Sequence, residues 1–213
     1  MYKQLSLNLQ FFADKNYKAS TGVDSFYYAP LDETEAAIIT GSVERVKFLQ
    51  NITVEMPQSI VRAAGDNKTA ELAVASGNVS VTGAFHKLPI EDRKVLLGLE
   101  STAEGLHAHG SEDNPPYVAC VFAKTHEDGS REWVGLSKGI FLRTAINGQS
   151  KQPGETQFQG DQISAEFMDR EVEGFEKEKS VVFGYDAAGE TVQRDALFQK
   201  IFGAAHPEAT PVV

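Results

Sequence analysis

Tyr117-Val118-Ala119-Cys120-Val121-Phe122-Ala123-Lys124, the turn Glu127-Asp128-Gly129-Ser130, and the run from Arg131 through Trp133 to Arg143 decide the fold. The first and last pieces are rich in β-branched and aromatic side chains, which suit a pleated, half-buried surface. Between them the Asp-Gly pair supplies the backbone freedom a tight connection needs. Two strand-like runs about such a pair read as a β-hairpin.

Strand-like runs continue in both directions. Upstream, Gly22-Val23-Asp24-Ser25-Phe26-Tyr27-Tyr28-Ala29-Pro30-Leu31 ends at a proline, and a polar turn follows at Asp32-Glu33-Thr34-Glu35. Ile52, Val54 and Met56 alternate with Thr53 and Glu55. Gly65-Asp66-Asn67-Lys68 is a turn by its chemistry. Thr69 to Ser76 and Asn78 to Phe85, the second containing Val79-Ser80-Val81-Thr82, with Gly77-Asn78 at their junction, read as a meander. Downstream, strands are expected near Gln157 to Met168, around Ile163-Ser164-Ala165-Glu166-Phe167, and near Lys179 to Asp186, around Val181-Val182-Phe183-Gly184-Tyr185. Glu100 to Pro116 and Thr144 to Gly154 read as loops.

Two helices interrupt the pattern. Pro89 fits a first helical position, Glu91 and Asp92 complement the positive helix end, and Gly98 offers a stop. Val192, Ala196, Leu197, Ile201 and Phe202 recur at helical spacing, with Gly203 to cap them. The pattern predicts a mainly β fold, a β-sandwich or barrel, with one or two short flanking α-helices. Residues 1–20 read as an N-terminal arm, 21–203 as a single β domain and 204–213 as a flexible C-terminal tail. In the arm, Leu5, Leu7 and Leu9 alternate with Ser6, Asn8 and Gln10 before Phe11-Phe12. That alternation is strand-like and unlike the solid apolar block of a signal peptide. Such an arm needs a partner to cover it.

Composition narrows the function. The chain has 213 residues, 41% of them hydrophobic, enough for a sizeable core. Twenty Lys and Arg stand against thirty Asp and Glu, a formal net charge of −10. Tight nucleic-acid binding needs cations that displace phosphate counterions, so it is disfavoured. No stretch approaches the ~20 apolar residues of a membrane span. Cys120 is the only cysteine; it lies in an apolar run and reads as a small buried hydrophobe.

The motifs that could carry chemistry are incomplete. Gly135-Leu136-Ser137-Lys138-Gly139 matches the G-x-S-x-G nucleophile elbow, with acids and His206 following. The elbow needs a sharp strand-to-helix turn, and here the strand continues. His107 and His109 form an H-x-H whose flanking Gly105 and Gly110 indicate a loop rather than a metal-binding strand. Glu166, Asp169, Glu171, Glu173, Glu176 and Glu178 form an acidic stretch that reads as a solvated face or an electrostatic wall. Trp133 and the phenylalanines read as core. No phosphate-binding glycine loop occurs, so a nucleotide-binding reading has nothing to stand on, and the lack of a complete chemical cluster points away from an enzyme.

Three stretches resemble one family: Gly22 to Leu31; Ala64 to Leu72 on to Leu88-Pro89 and Leu96-Leu97-Gly98; and Pro115-Pro116-Tyr117 through Asp128-Gly129 and Trp133 to Lys138-Gly139 and Phe141. They are similar to the major tail proteins of long, non-contractile-tailed phages and prophages of Gram-positive bacteria. Leu7 to Ala13 also resembles the start of many structural proteins of such phages. The resemblance implies a tail-tube β fold and self-assembly into stacked, hexameric rings that form a conduit for DNA ejection, with no cofactor and no catalysis expected. It implies further tail partners, such as tape-measure and tail-completion proteins, and a place in the virion after assembly in the host cytoplasm. Viral DNA would pass the acidic lumen without specific binding. Leu5, Leu7, Leu9, Phe11 and Phe12 of the arm, and Asn147, Gln149 and Lys151 of the 144–154 loop, are the expected subunit contacts. Competing expectations are a tail terminator, a capsid decoration protein, or a monomeric β-barrel that binds a small ligand.

Overall fold

The computed structural model describes residues 17–148, 150 and 158–208. In chain order the strands are β1 (Ser20–Pro30), β2 (Glu44–Val46), β3 (Leu49–Glu55), β4 (Gln58–Gly65), β5 (Lys68–Ser76) and β6 (Val79–Phe85). Helix α1 (Ile90–Leu97), the short β7 (Glu100–Ser101) and β8 (His107–Ala108), and the long β9 (Val118–His126) and β10 (Arg131–Leu142) follow. The chain closes with β11 (Asp161–Met168), β12 (Val181–Asp186) and α2 (Val192–Phe202).

The expected hairpin is β9–β10. The Asp128 carboxylate accepts from the main-chain N–H (3.0 Å) and the hydroxyl (2.6 Å) of Ser130. Gly129 takes a left-handed φ of 82°, so the turn chemistry is satisfied locally. Around this hairpin an antiparallel sheet runs β2-β1-β9-β10-β11-β6-β3. Strand β10 carries two partners on one side: Arg131 to Leu136 pair with β12, and Lys138 to Leu142 pair with β11.

A bulge makes that change of partner possible. Leu136 lies opposite Cys120 and Gly139 opposite Val118, so three steps along β10 meet two along β9. The extra residue exchanges the faces of the strand. Leu136 and Phe141 therefore both enter the same core despite their odd separation.

The sheet curls until β3 lies near β1 and gives a sandwich-like body with two cores. Phe26, Tyr28, Val81, Phe85, Leu136 and Phe167 fill the enclosed core, with Leu96 of α1. On the opposite face, Tyr27, Ala119, Val121 and Trp133 pack against Leu197, Phe198, Ile201 and Phe202 of α2. Strands β1 and β9 are thus covered on both sides, which is why Val118 to Ala123 is apolar throughout. A Cβ on Gly135 would lie 2.7 Å from Ile201, and one on Gly139 2.4 Å from the Phe167 ring, so glycine permits both contacts.

Both helices end where the sequence places their stops, with Gly98 and Gly203 each at a φ of 62°. The start of α2 is held from outside: the buried Asp186 carboxylate accepts from the N–H groups of Gln193 (2.8 Å) and Arg194 (2.9 Å). Helix α1 is tied to the sheet by the Tyr28 hydroxyl, which donates to Asp92 (2.8 Å), and by the Arg93–Asp161 ion pair (3.0 Å).

One expectation is corrected. Strands β5 and β6 do not form a meander: β5 pairs with β4, while β6 pairs with β3 and β11. The Gly77 N–H donates to the Pro57 carbonyl (3.0 Å), so Gly77-Asn78 is one side of a joint and not a hairpin turn. Beyond that joint β4 and β5 continue the β3–β6 pair as a separate ribbon. Its tip, Asp66-Asn67, has φ values of 50° and 63°, as a two-residue type I′ connection requires.

Candidate functional site

The residues equipped for chemistry are occupied with structure. Ser137 sits at the β10 bulge, fully buried, and its hydroxyl donates to the Lys179 carbonyl, with the Ser180 carbonyl 3.1 Å away. It lies within a continuing strand and not on an exposed strand-to-helix turn. The sequence reading leaves His206 in a loose tail; here the residue is 3% exposed, its ring 4.5 Å from the Phe198 ring and within reach of Tyr27 and Trp133. Cys120 is buried, and burial pushes its thiol well above the ordinary range.

The H-x-H pair divides its interests. His107 shares a 2.8 Å hydrogen bond with Ser101, while His109 lies 3.4 Å from Asp113. Among the described residues no group of three or more His, Cys, Asp or Glu is placed to hold a metal. The acidic stretch is also split: Glu166 lies on the sheet, whereas Glu171, Glu173, Glu176 and Glu178 are exposed in the loop between β11 and β12. Lys200 of α2 donates to the Glu173 carbonyl (2.7 Å) and fixes this loop against the helix.

His206 does carry a measurable consequence. The Glu208 main-chain N–H donates to its Nδ1 (3.0 Å), so the ring is held neutral. Burial, reinforced by the Arg194 charge, lowers its pKa from 6.5 to about 4. The unfolded chain then takes up this proton first as pH falls. The contribution is complete above pH 6.5 and is lost progressively between 6.5 and about 4. Between pH 7 and pH 5 it amounts to about 2 kcal/mol. Urea denaturation at the two pH values should show that loss in the wild type and a smaller one in His206→Gln; equal losses would contradict it.

What stands out is surface, not chemistry. Every residue of β4 and β5 is exposed. Ile60, Val61, Leu72 and Val74 are apolar side chains that are 55–67% exposed. Ile60 lies opposite Val74, and Arg62 opposite Leu72, so Ile60, Leu72 and Val74 share one face. An isolated two-stranded ribbon is at best marginally stable in water. Its outer strand edges are unpaired among the described residues, and such edges normally call for a partner.

A second surface is the outer face of β3, β6, β11 and the far half of β10. Across β3, β6 and β11 it carries Thr53, Thr82, Ser164 and Gln162, with Glu55 and Glu166 in register on either side of Ser80. Ile140 and Leu142 form its β10 margin. Lys138, on the same margin, is paired with Glu35. A third surface is a cavity of about 300 Å³ between α1, β8 and the ends of β10 and β11.

Of the contacts expected from sequence, Asn147 is exposed at the rim of that cavity. Leu5, Leu7, Leu9, Phe11, Phe12, Gln149 and Lys151 lie outside the described residues. Sequence reasoning placed the turn and the second strand of the ribbon but missed its first strand, and with it the ribbon as a unit. Its signal is a pair of breakers, Pro57 nine residues before Asp66 and Gly77 ten after Asn67, placed almost evenly about the turn.

Residues 49–208 match the family model described as phage tail tube protein. No curated protein matches the chain.

Proposed function

The chain belongs to the phage tail tube protein family, and on that footing we propose that its copies close into hexameric rings that stack into a hollow conduit for DNA ejection. It is a structural component of the phage tail, and no membrane-crossing helix occurs among the described residues. The observation that carries the proposal is the β4–β5 ribbon, whose apolar side chains and strand edges are unpartnered among the described residues. A neighbouring copy supplies what the ribbon lacks, an apolar cover and main-chain hydrogen-bond partners.

The outer face of β3, β6, β11 and β10 suits the bore. A wall that lets DNA slide must not offer phosphate a free cation, and this face presents hydroxyls, amides and carboxylates. The arm and the 144–154 loop supply further contacts between copies, and tape-measure and tail-completion proteins bind the tube's interior and ends. Assembly takes place in the host cytoplasm, and no catalysis enters this function. Negative-stain electron microscopy of the concentrated full-length protein should show uniform hollow tubes or stacked six-fold rings. Single closed rings that never stack would favour a terminator, and monomers stabilised by a small ligand would favour a binder.

A further inference from the structure

Resting on the tube reading, we propose that the cavity at the α1 end of the sheet is the seat for residues 1–16 of a second copy. The cavity, about 300 Å³, is lined by Leu97, Leu99, Phe141, Leu142, Ile146 and Ile163. Charged groups at its rim are already engaged. Arg93 pairs with Asp161 (3.0 Å), and Arg143 donates to the carbonyls of Gly110 (3.1 Å) and Asp113 (3.3 Å). What the recess leaves unsatisfied is apolar surface. It fits an extended chain that presents an apolar side chain at every second residue, and Leu5, Leu7, Leu9 and Phe11 do so.

The two halves of this contact lie at opposite ends of one copy. The described chain begins at Tyr17, and Ser20 pairs with His126 beside the β9–β10 turn. The cavity opens at the far end of β10, around Leu142 to Asn147. The 12 residues of β10 separate the two, about 36 Å at ~3.3 Å per residue. Sixteen extended residues span roughly 50 Å at the same rise. Donor and receptor at opposite ends make a head-to-tail contact, which leaves one arm and one seat open after every addition. Within one ring such a contact closes on the first copy; between stacked rings it propagates, as a tube requires.

The test is a disulfide between Leu7→Cys and Ile146→Cys in the full-length chain, with Ile146 92% exposed and the native Cys120 buried. Oxidation of the double variant under assembly conditions should give a ladder of covalent multimers. A mixture of the two single variants should give a dimer. A link confined to one chain, or no link, would overturn the proposal. Electron microscopy of the same samples separates the two readings. Tubes without a ladder would remove the seat and keep the tube; a ladder without tubes would uphold the head-to-tail contact and count against the tube.

Discussion

The paired substitution Ile60→Lys with Val74→Glu should leave a folded protein of unchanged melting temperature and abolish the proposed tube assembly. These residues are directly opposite on one face of the β4–β5 ribbon, 62% and 67% exposed. Among the described residues they rest on no core, so their exchange should move the stability of a single copy by no more than about 0.5 kcal/mol. Opposite charges across the strands also preserve the ribbon's own pairing. Assembly is another matter, because each ribbon that docks must then strip water from two ionised groups that have no partners on the neighbour. Even about 3 kcal/mol per contact raises the concentration needed for assembly roughly a hundredfold. Sedimentation and microscopy over a concentration series measure this. Tubes at the wild-type concentration would show that the ribbon is not an assembly surface.

How much of this can be read in the chain depends on where each residue's constraint originates. The β9–β10 hairpin is legible because Asp128 and Gly129 act on their immediate neighbours. Helices α1 and α2 are legible because Pro89, Gly98 and Gly203 mark their own boundaries. Strand β2 is three residues long and exists because β1 offers Phe26 to Tyr28 as partners, information that lies well upstream. The turn of the ribbon is legible in Gly65 to Lys68, but its first strand escapes because a strand pair without a core among the described residues has no buried face to impose alternation on Gln58 to Gly65. His206 escapes because its burial comes from α2 folding back onto β1, a contact with no local signature. The bulge at Ser137 is hidden for the same reason: only the register against β9 reveals the extra residue that turns a nucleophile-like motif into a strand irregularity. Of the expected subunit contacts, Asn147 alone falls among the described residues, at the rim of the cavity between α1 and the end of β10.

Phe198→Ala should be the most damaging single truncation on the α2 side of the sheet. Phe198 is fully buried, and its ring meets those of Tyr27 (5.0 Å), Phe202 (5.2 Å), His206 (4.5 Å) and Trp133 (6.3 Å). Removing a buried phenylalanine from such a cluster costs about 3–5 kcal/mol, against a total stability of about 5–15 kcal/mol for a typical domain. Relaxation cannot fill the gap easily, since Gly135 already brings β10 against Ile201 and Leu197 on one side. The variant should also respond less to acid. Water admitted beside His206 weakens the burial that lowers its pKa to about 4, so the ring moves back toward 6.5 and the loss between pH 7 and pH 5 shrinks. Urea denaturation at both pH values reads the two effects together, with Phe183→Ala, at a 55% exposed position on β12, as the control expected to change stability by less than about 1 kcal/mol. A large loss of stability with an unchanged acid response would mean that Phe198 supports the helix but does not shield His206. Loss of both would place the seal over β1 and β9 in this one ring.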